Sequence, residues 1–360
     1  MTAHAQPWQA FMQDVAQLEQ ELLAIAPDCK LAHAEAQRYL ARLLRYAIGR
    51  HIDRTGSPAR PVISQETARI GGDNPDYRYG TADLDGRLRY RVAGRLNDAY
   101  RLGIGTYAGG LGTAQGLRGT GYVNVDARMV DDSGNFELVL STETVPGHWL
   151  PMATGTNSLI IRQLVLDPQA HRPAEIAIEC LSGADRVEPR PVRGDELLDR
   201  MAHARQFLAG TVRQFIGWSA SFARFPNAVR PLDPALLGAA QGDPGTRYFN
   251  GYYRLQPGEA LVVEFTPPPC DYWNLQACNH WLESLDILRQ PAHINHYTAK
   301  ADANGRVRAV ITPECPGVDN WIDTVGHREG CLAMRWVGLA AGHEPPALDC
   351  RVCAVASLGA

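Results

Sequence analysis

Apolar residues recur every three or four positions in two stretches near the N-terminus, which is the spacing of amphipathic helices. The two stretches extend from Trp8 to about Ile52, and Pro27-Asp28 separates them. The positions that define the apolar faces are Phe11, Val15, Leu18 and Leu22, followed by Ala32, Ala36, Tyr39, Leu43 and Tyr46. The pattern predicts an N-terminal helical pair within residues 1–54, with apolar faces that pack on a sheet or on a partner subunit.

Alternation of apolar and polar positions, which is typical of β-strands, dominates residues 55–193 after an irregular start. Residues 55–79 are rich in Gly, Pro, Arg and Asp and predict a long connection, with Asp73-Asn74-Pro75-Asp76 as a turn. The predicted strands then begin at Leu88, Ala99, Tyr122, Phe136, Ser158 and Glu175. Short strands in this succession predict an antiparallel β region.

A third run with helical spacing, residues 194–225, separates this β region from a second set of strands. Strands resume over residues 226–360, beginning with Tyr248–Tyr253 and ending with Cys350–Val355. The chain is therefore predicted to be mainly β with helical additions. Its last part is predicted to be a two-layer antiparallel β-sandwich of jelly-roll type, not a doubly wound sheet.

Composition is typical of a globular protein and argues against several partners. The 360 residues carry a net charge of −4 with a pI near 6.3, whereas a nucleic-acid-binding domain ordinarily has a basic surface. No apolar run reaches the ~18 residues of a membrane span. Residues 1–7 lack the basic patch and apolar core of a signal peptide. We therefore expect a cytoplasmic protein that binds neither nucleic acid nor membrane.

Eight cysteines in a long chain without a secretory signal predict reduced thiols and not a disulfide framework. Cys350 and Cys353 form a C-x-x-C pair. The alternation around them predicts a strand that directs the two sulfurs to opposite faces, a geometry that does not suit a zinc or redox site.

Side chains able to donate, accept or titrate concentrate in residues 272–330. The densest run, residues 319–330, combines an indole, carboxylates, an imidazole and a guanidinium with two glycines. The segments Tyr272–Asp286 and His293-Ile294-Asn295-His296 come before it. We therefore expect the functional site in this part of the chain.

Several segments of this region resemble domain of unknown function 1214. They are Tyr272-Trp273-Asn274-Leu275-Gln276, Glu283-Ser284-Leu285-Asp286, Pro316-Gly317-Val318, Asn320-Trp321-Ile322-Asp323-Thr324, Gly326-His327-Arg328-Glu329-Gly330 and Arg335-Trp336. The similarity covers about residues 248–355, and upstream segments such as Pro146-Gly147-His148-Trp149-Leu150-Pro151 resemble the first half of longer members. The resemblance implies a β-rich sandwich and brings no general activity with it.

His327 and Asp323 are the predicted acid/base pair. They lie four residues apart, and in a helical segment this spacing would let the carboxylate orient the imidazole and raise its basicity. Such a couple can move a proton. The alternative is a structural hydrogen bond that fixes a loop bounded by glycine.

The residues predicted to bind the substrate have hydrogen-bonding side chains. In a strand, Tyr272 and Asn274 share one face, which lines a cavity or remains in contact with water, and His293 shares a face with Asn295. Guanidinium groups are added because they present fixed donors to an anion. The full predicted set is Tyr272, Asn274, Asn279, His280, His293, Asn295, Trp321, Arg162 and Arg328.

These features predict a cofactor-independent acid/base enzyme for a small hydrophobic, typically aromatic, alcohol or acid. The reaction would be of lyase or isomerase type, for example a retro-aldol carbon–carbon cleavage. No nucleophile elbow, phosphate loop or HExxH pair is present, and no helix is predicted after the glycine run Gly103–Gly110, so neither a cofactor nor a metal is predicted.

Two alternatives remain open. One is a non-catalytic protein that binds the same kind of small ligand. The other is an enzyme whose histidines bind a metal, since imidazoles from separate elements can converge on one ion. The N-terminal amphipathic helices also predict a homo-oligomer.

Overall fold

The computed structural model describes residues 6–53, 57–66, 69–167, 169–182, 193–286 and 291–359. The helices in these ranges are α1 (Gln6–Ile25), α2 (Lys30–Ala47), α3 (Gly194–Ala223) and α4 (Pro234–Ala239), and a π-helical segment, Ile48–Asp53, follows α2. The predicted helical pair and the helix predicted at 194–225 are both confirmed. The apolar faces of α1, α2 and α3 share one buried cluster that includes Phe11, Leu22, Leu43 and Leu208.

The strands described before α3 form the first β unit. They are β1 (Ser64–Glu66), β2 (Tyr77–Asp83), β3 (Tyr90–Arg95), β4 (Arg101–Gly109), β5 (Leu117–Asn124), β6 (Asn135–Ser141), β7 (Trp149–Pro151), β8 (Ser158–Leu164) and β9 (Glu175–Cys180). Two sheets result, in the orders β1-β2-β8-β4-β5 and β7-β6-β3-β9. Residues such as Ile104, Leu138 and Ile161 form the core between them, as expected for alternating strands that bury one face.

The strands described after α3 form the second β unit. They are β10 (Ala228–Pro231), β11 (Thr246–Arg254), β12 (Glu259–Phe265), β13 (Cys270–Ala277), β14 (His293–Asn295), β15 (Val307–Thr312), β16 (Trp321–Asp323), β17 (Glu329–Leu339) and β18 (Asp349–Ala354). Their sheets have the orders β10-β11-β17-β13-β14 and β16-β15-β12-β18. Leu275, Met334 and Trp336 lie in the core of this sandwich. The predicted mainly β fold with helical additions is confirmed.

The predicted connection of residues 55–79 is wrong in part, and residues 54–56 and 67–68 lie outside the described residues. β1 lies within it and pairs with β2, which already begins at Tyr77. A three-residue strand is too short to produce a readable alternation, which is why the sequence pattern missed it.

Residues 69–77, called the strap, cross from the first β unit onto the second. Asp73 accepts hydrogen bonds from Ser284 N at 3.0 Å and Ser284 Oγ at 2.7 Å. The Asp73 carbonyl accepts a bond from Gln276 Nε2 at 2.8 Å. The segment expected to be a simple turn is therefore anchored on the face of β13 that points away from the second core.

Cys350 and Cys353 lie on opposite faces of β18 as predicted, because Cys350 packs against the core of the second β unit and Cys353 against a smaller cluster on the other side. All eight cysteines are free thiols. No helix among the described residues has both the length and the apolar character needed to cross a membrane.

Candidate functional site

A cavity of about 250 Å³ lies between the two β units. One wall is the outer face of β2 and β8, and the opposite wall is formed by residues of β11 and β17. The strap and the α3 side chains Phe215 and Trp218 close the remaining sides. The lining combines aliphatic and aromatic groups with a few polar ones, which is the usual composition of a small-molecule site.

Arg162 is the cation of this cavity. It lies on β8, directly across from Tyr79 on β2 and from Gly103 on β4. Its Nη1 donates to Tyr107 Oη at 2.7 Å, and its guanidinium carbon lies 5.4 Å from the centre of the Tyr107 ring. Among the described residues, no carboxylate forms an ion pair with it. Phenol rings therefore surround the cation. Asp73 and Asp243 also line the cavity, but Asp73 bonds Ser284 and Asp243 pairs with Arg101.

Tyrosine hydroxyls surround the Arg162 guanidinium. Burial raises the pKa of Tyr79, Tyr107 and Tyr122, so these groups stay neutral and can donate hydrogen bonds. A Cβ at Gly103 would collide with the Tyr122 hydroxyl. This glycine therefore makes room for the tyrosine cluster, whereas the sequence pattern indicated no site there.

A second guanidinium, that of Arg335, lies at the strap side of the cavity. It donates to Asn274 Oδ1 at 3.4 Å and Gln276 Oε1 at 2.8 Å, and also to the carbonyl of Gly72. These acceptors are neutral, and the nearby Asp73 contributes a charge that interacts with Arg335. Arg335 is therefore held by the protein itself, in contrast to Arg162.

Three of the predicted substrate-binding residues converge on one carboxylate, Asp76 of the strap, and a fourth bonds the nearby Asn74. Tyr272 Oη donates to Asp76 at 2.6 Å, Asn295 Nδ2 at 2.8 Å, and His293 Nε2 lies 2.8 Å from it, while Asn274 bonds the neighbouring Asn74. Burial alone would raise the pKa of Asp76, but the bonds from His293, Tyr272 and Asn295 hold it below its usual value. The shared face of Tyr272 and Asn274 is buried, so the alternative of a wet face is wrong.

His327 belongs to a different cluster, which joins α2 to the second β unit. Its Nδ1 lies 2.6 Å from the Thr324 carbonyl and its Nε2 lies 2.9 Å from Glu35 Oε2. Asn279 Nδ2 donates to Glu35 at 2.8 Å and to Glu283 at 2.9 Å. Arg42 completes the cluster with a 2.8 Å ion pair to Glu283.

The predicted orientation of His327 by Asp323 is wrong. Residues 321–323 form the short strand β16 and a turn follows, so a helical four-residue spacing does not apply. Asp323 instead accepts a bond from Val325 N at 2.7 Å. The carboxylate bonded to His327 is Glu35, and both ring nitrogens are already engaged within the protein.

The pKa values of this pair move in opposite directions. Burial would lower the pKa of His327, but its hydrogen bond to Glu35 and the charge of that carboxylate raise it above the usual value. Burial would raise the pKa of Glu35, but His327 and Asn279 hold it below its usual value. Each shift favours the charged form, so the imidazolium–carboxylate pair stays charged over a wider pH range than two separate groups would.

This ion pair should make the free energy of unfolding decrease as the pH rises above 6.5, the ordinary histidine value. A histidine with a raised folded pKa stabilises fully below its unfolded value, here 6.5, and loses the contribution as the pH passes through the folded pKa. The lowered pKa of Glu35 adds a contribution that is present above 4.5 and is lost on acidification. We expect Glu35→Gln to flatten the pH dependence of the free energy of unfolding in both ranges, as measured by urea unfolding from about pH 4 to about pH 9.

Arg42, Glu283 and Asp323 remain in both proteins. Because the charge of Glu35 contributes to the raised pKa of Glu283, the slope above pH 6.5 is the one that reports on His327. Parallel stability curves for the wild type and Glu35→Gln would contradict the assigned ion pair.

The remaining predicted residues are dispersed. His280 Nδ1 lies 2.7 Å from Tyr252 Oη, and burial lowers its pKa to about 4. Trp321 Nε1 donates to the Thr312 carbonyl at 2.9 Å. Arg328 is exposed at the surface and does not join Arg162. Of the predicted substrate-binding set, Arg162 alone lines the cavity between the β units.

Sequence reasoning missed Asp76 and Glu35. Asp76 was visible only as part of a turn, and Glu35 only as a polar position of α2. Within the part of the chain that the structure describes, no group of three or more His, Cys, Asp or Glu side chains is placed to hold a metal ion.

The protein thus consists of two β-sandwich units with helical additions and a cavity between the units. The chain is 36% identical to an uncharacterized protein from Burkholderia cenocepacia, over 98% of both chains and with a TM-score of 0.92. It therefore belongs to the same family as that protein. It matches no protein-family model and no curated protein.

More distant likenesses carry no argument about function. A protein from Vibrio parahaemolyticus is 13% identical with a TM-score of 0.47, covering 78% of this chain and 90% of its own. A salicylate 1,2-dioxygenase from Pseudaminobacter salicylatoxidans is 10% identical with a TM-score of 0.22, covering 82% of each chain.

Proposed function

We propose that the protein binds a small aromatic or alicyclic carboxylic acid in the cavity between its β units. The observation that carries this proposal is the Arg162 guanidinium, which faces the cavity without a carboxylate partner among the described residues. An enclosed charge without a partner is costly. A carboxylate ligand supplies the missing countercharge and can accept two parallel hydrogen bonds from the guanidinium.

The rest of the cavity favours an apolar body for this acid. Val337, Leu117 and Ile160 contribute apolar surface, and Phe215 and Trp218 close the cavity from α3. Aromatic and aliphatic surface of this kind favours a ring or a hydrocarbon chain over a sugar phosphate. The resemblance of residues 248–355 to domain of unknown function 1214 remains a prediction that adds no ligand to this proposal.

Matched acids and amides test the proposal. Benzoate, cyclohexanecarboxylate and 4-phenylbutanoate would be titrated calorimetrically against the protein, each beside its primary amide. The amide keeps the shape and removes the charge, so we expect it to bind roughly 10- to 100-fold more weakly, as for the loss of a charge-assisted hydrogen bond. Equal affinity of acids and amides, or no binding of any acid, would overturn the proposal.

Catalysis on the bound acid is a second candidate function, because a carboxyl group suited to proton transfer lies at the cavity wall. Burial raises the pKa of Asp73 despite two hydrogen bonds from Ser284. A carboxyl group whose pKa is raised in this way can act as a general acid or base. Mass spectrometry of the titrated mixtures decides the point: a mass change made by the wild type and not by Asp73→Asn supports an enzyme, and intact ligand supports a binding protein.

A further inference from the structure

A second cavity, of about 730 Å³, adjoins the one that contains Arg162. It is called the outer chamber, and the smaller cavity the inner chamber. The outer chamber lies between the π-helical segment after α2, the helix α3 and the loop of residues 109–115. The walls shared by both chambers are Tyr46, Thr81, Leu111, Leu117 and Ile160.

Two strands form one continuous floor under both chambers. On the paired strands β2 and β8, the cross-strand pair Asp83–Ser158 lines the outer chamber and the pair Tyr79–Arg162 lines the inner one. The pair Thr81–Ile160 lies between them and belongs to both. Alternate residues of a strand share a face, so the three pairs lie in one row.

The length of this row sets the length of a ligand that follows it. Ser158 and Arg162 are four residues apart on β8, which corresponds to about 13 Å of extended strand. The inner chamber alone, at about 250 Å³, is smaller than the ~300–1,000 Å³ typical of ligand sites. A ligand held at Arg162 therefore has space to continue outward.

The outer chamber offers hydrogen bonds, and the two arginines that line it are paired with carboxylates. Arg50 pairs with Asp83 at 2.9 Å and Arg200 with Glu196 at 2.7 Å. Burial lowers the pKa of His51 to about 4, so this imidazole is neutral. The imidazole of His203 also lines the chamber, together with neutral amides and hydroxyls such as Thr113, Gln115, Asn157, Ser158 and Gln206.

We propose that the ligand is an elongated monocarboxylic acid that occupies both chambers. Its carboxylate lies at Arg162, its apolar middle passes Leu111 and Ile160, and an uncharged amide or hydroxyl lies in the outer chamber about 13 Å away. This inference rests on the proposed function, because it uses the same carboxylate anchor. It adds a second subsite and with it the class of ligand.

Three acids with the same head distinguish the possibilities. Phenylacetate is the short acid. The second acid is phenylacetate with a pentanamide chain at the para position, and the third has a carboxylate in place of the amide at the end of that chain. Calorimetric titration of the wild type should give an affinity for the amide-tailed acid at least about tenfold above that for phenylacetate, since the tail buries several methylene groups. The acid with two carboxylates should bind more weakly than the amide-tailed acid.

Leu111→Trp narrows the passage between the chambers and separates the two proposals. We expect it to remove the advantage of the tail, measured as the ratio of the affinities for the amide-tailed acid and for phenylacetate, because Leu111 lines both chambers. Leu198→Trp, a leucine exposed on α3 that lines neither chamber, is the matched control and should behave like the wild type.

The outcomes are distinct. If phenylacetate binds and the tail adds nothing, or if Leu111→Trp leaves the advantage of the tail intact, the two-chamber ligand is overturned and the proposed function stands. If the acid with two carboxylates binds best, the neutral outer subsite is wrong. If neither phenylacetate nor the tailed acids bind, both proposals are overturned.

Discussion

Replacing Arg162 by methionine is expected to remove the affinity for aromatic carboxylates by about 100-fold or more while leaving the unliganded protein at least as stable. The loss follows because truncation of one partner of an enclosed, hydrogen-bonded charge pair costs about 2–5 kcal/mol of binding. The unchanged or raised stability follows because the free protein no longer encloses an unpaired cation. Methionine keeps a similar length and fills the space with an apolar chain.

Calorimetry with benzoate gives the first quantity, and the midpoint of thermal unfolding without ligand gives the second. Arg91→Met is the matched control, because Arg91 lies on β3 in an exposed ion pair with Glu179 and does not line the cavity. It should bind benzoate like the wild type. If Arg162→Met binds benzoate normally, the carboxylate anchor is elsewhere; if it unfolds far more easily than the wild type, Arg162 is a structural group.

The elements themselves could be predicted wherever one strand or helix shows its own periodicity. β8 is an example, because Ser158, Ile160 and Arg162 alternate with the apolar residues that enter the first core, and the predicted strand has the observed bounds. The same holds for the opposite faces of Cys350 and Cys353 on β18. Alternation within a strand indicates which face each side chain occupies, and the burial of one face fixes the register of the strand.

The site could be predicted only in its separate parts, because its contacts join distant segments. Tyr272, His293 and Asn295 were singled out as polar side chains of strands, but their common partner, Asp76, lies 196 residues before Tyr272. Glu35 lies 292 residues before His327. Periodicity describes one segment at a time, and nothing in it indicates which two segments meet.

Arg162 also illustrates this limit of prediction from the sequence. It was predicted to hold an anion because of its guanidinium alone. The feature that supports this role is that no carboxylate of the described residues forms an ion pair with it, although Asp73 and Asp243 line the same cavity. That feature depends on the packing of β2, β4 and β8 against the second β unit. The sequence identifies Arg162 as a cation, and the fold determines whether a carboxylate of the protein neutralises it.

Replacing His327 by alanine is expected to lower the free energy of unfolding by about 3–5 kcal/mol, the usual cost of removing one partner of a buried ion pair. Glu35 would keep its bond from Asn279 but lose the imidazolium that holds its pKa down. The tie between α2 and the second β unit would weaken in consequence. Urea unfolding at about pH 6, where the pair is charged, measures the loss.

A double-mutant cycle with Glu35→Gln separates this ion pair from other effects of the substitution. The sum of the stability changes of the two single variants should exceed the stability change of the double variant, because both single variants remove the same interaction. His343→Ala, at an exposed histidine outside the cluster, should change stability by no more than about 0.5 kcal/mol. Additive single changes would show that His327 and Glu35 act independently.

The same variant decides between the two roles that His327 can have. The prediction from the sequence is that His327 carries a proton, and then His327→Ala would abolish turnover of any substrate while the protein stays folded. The geometry favours the ion pair, because Nδ1 faces the Thr324 carbonyl and Nε2 faces Glu35, so neither nitrogen is left to accept a proton from a ligand. We therefore expect folded His327→Ala, measured well below its unfolding midpoint, to bind benzoate with the affinity of the wild type.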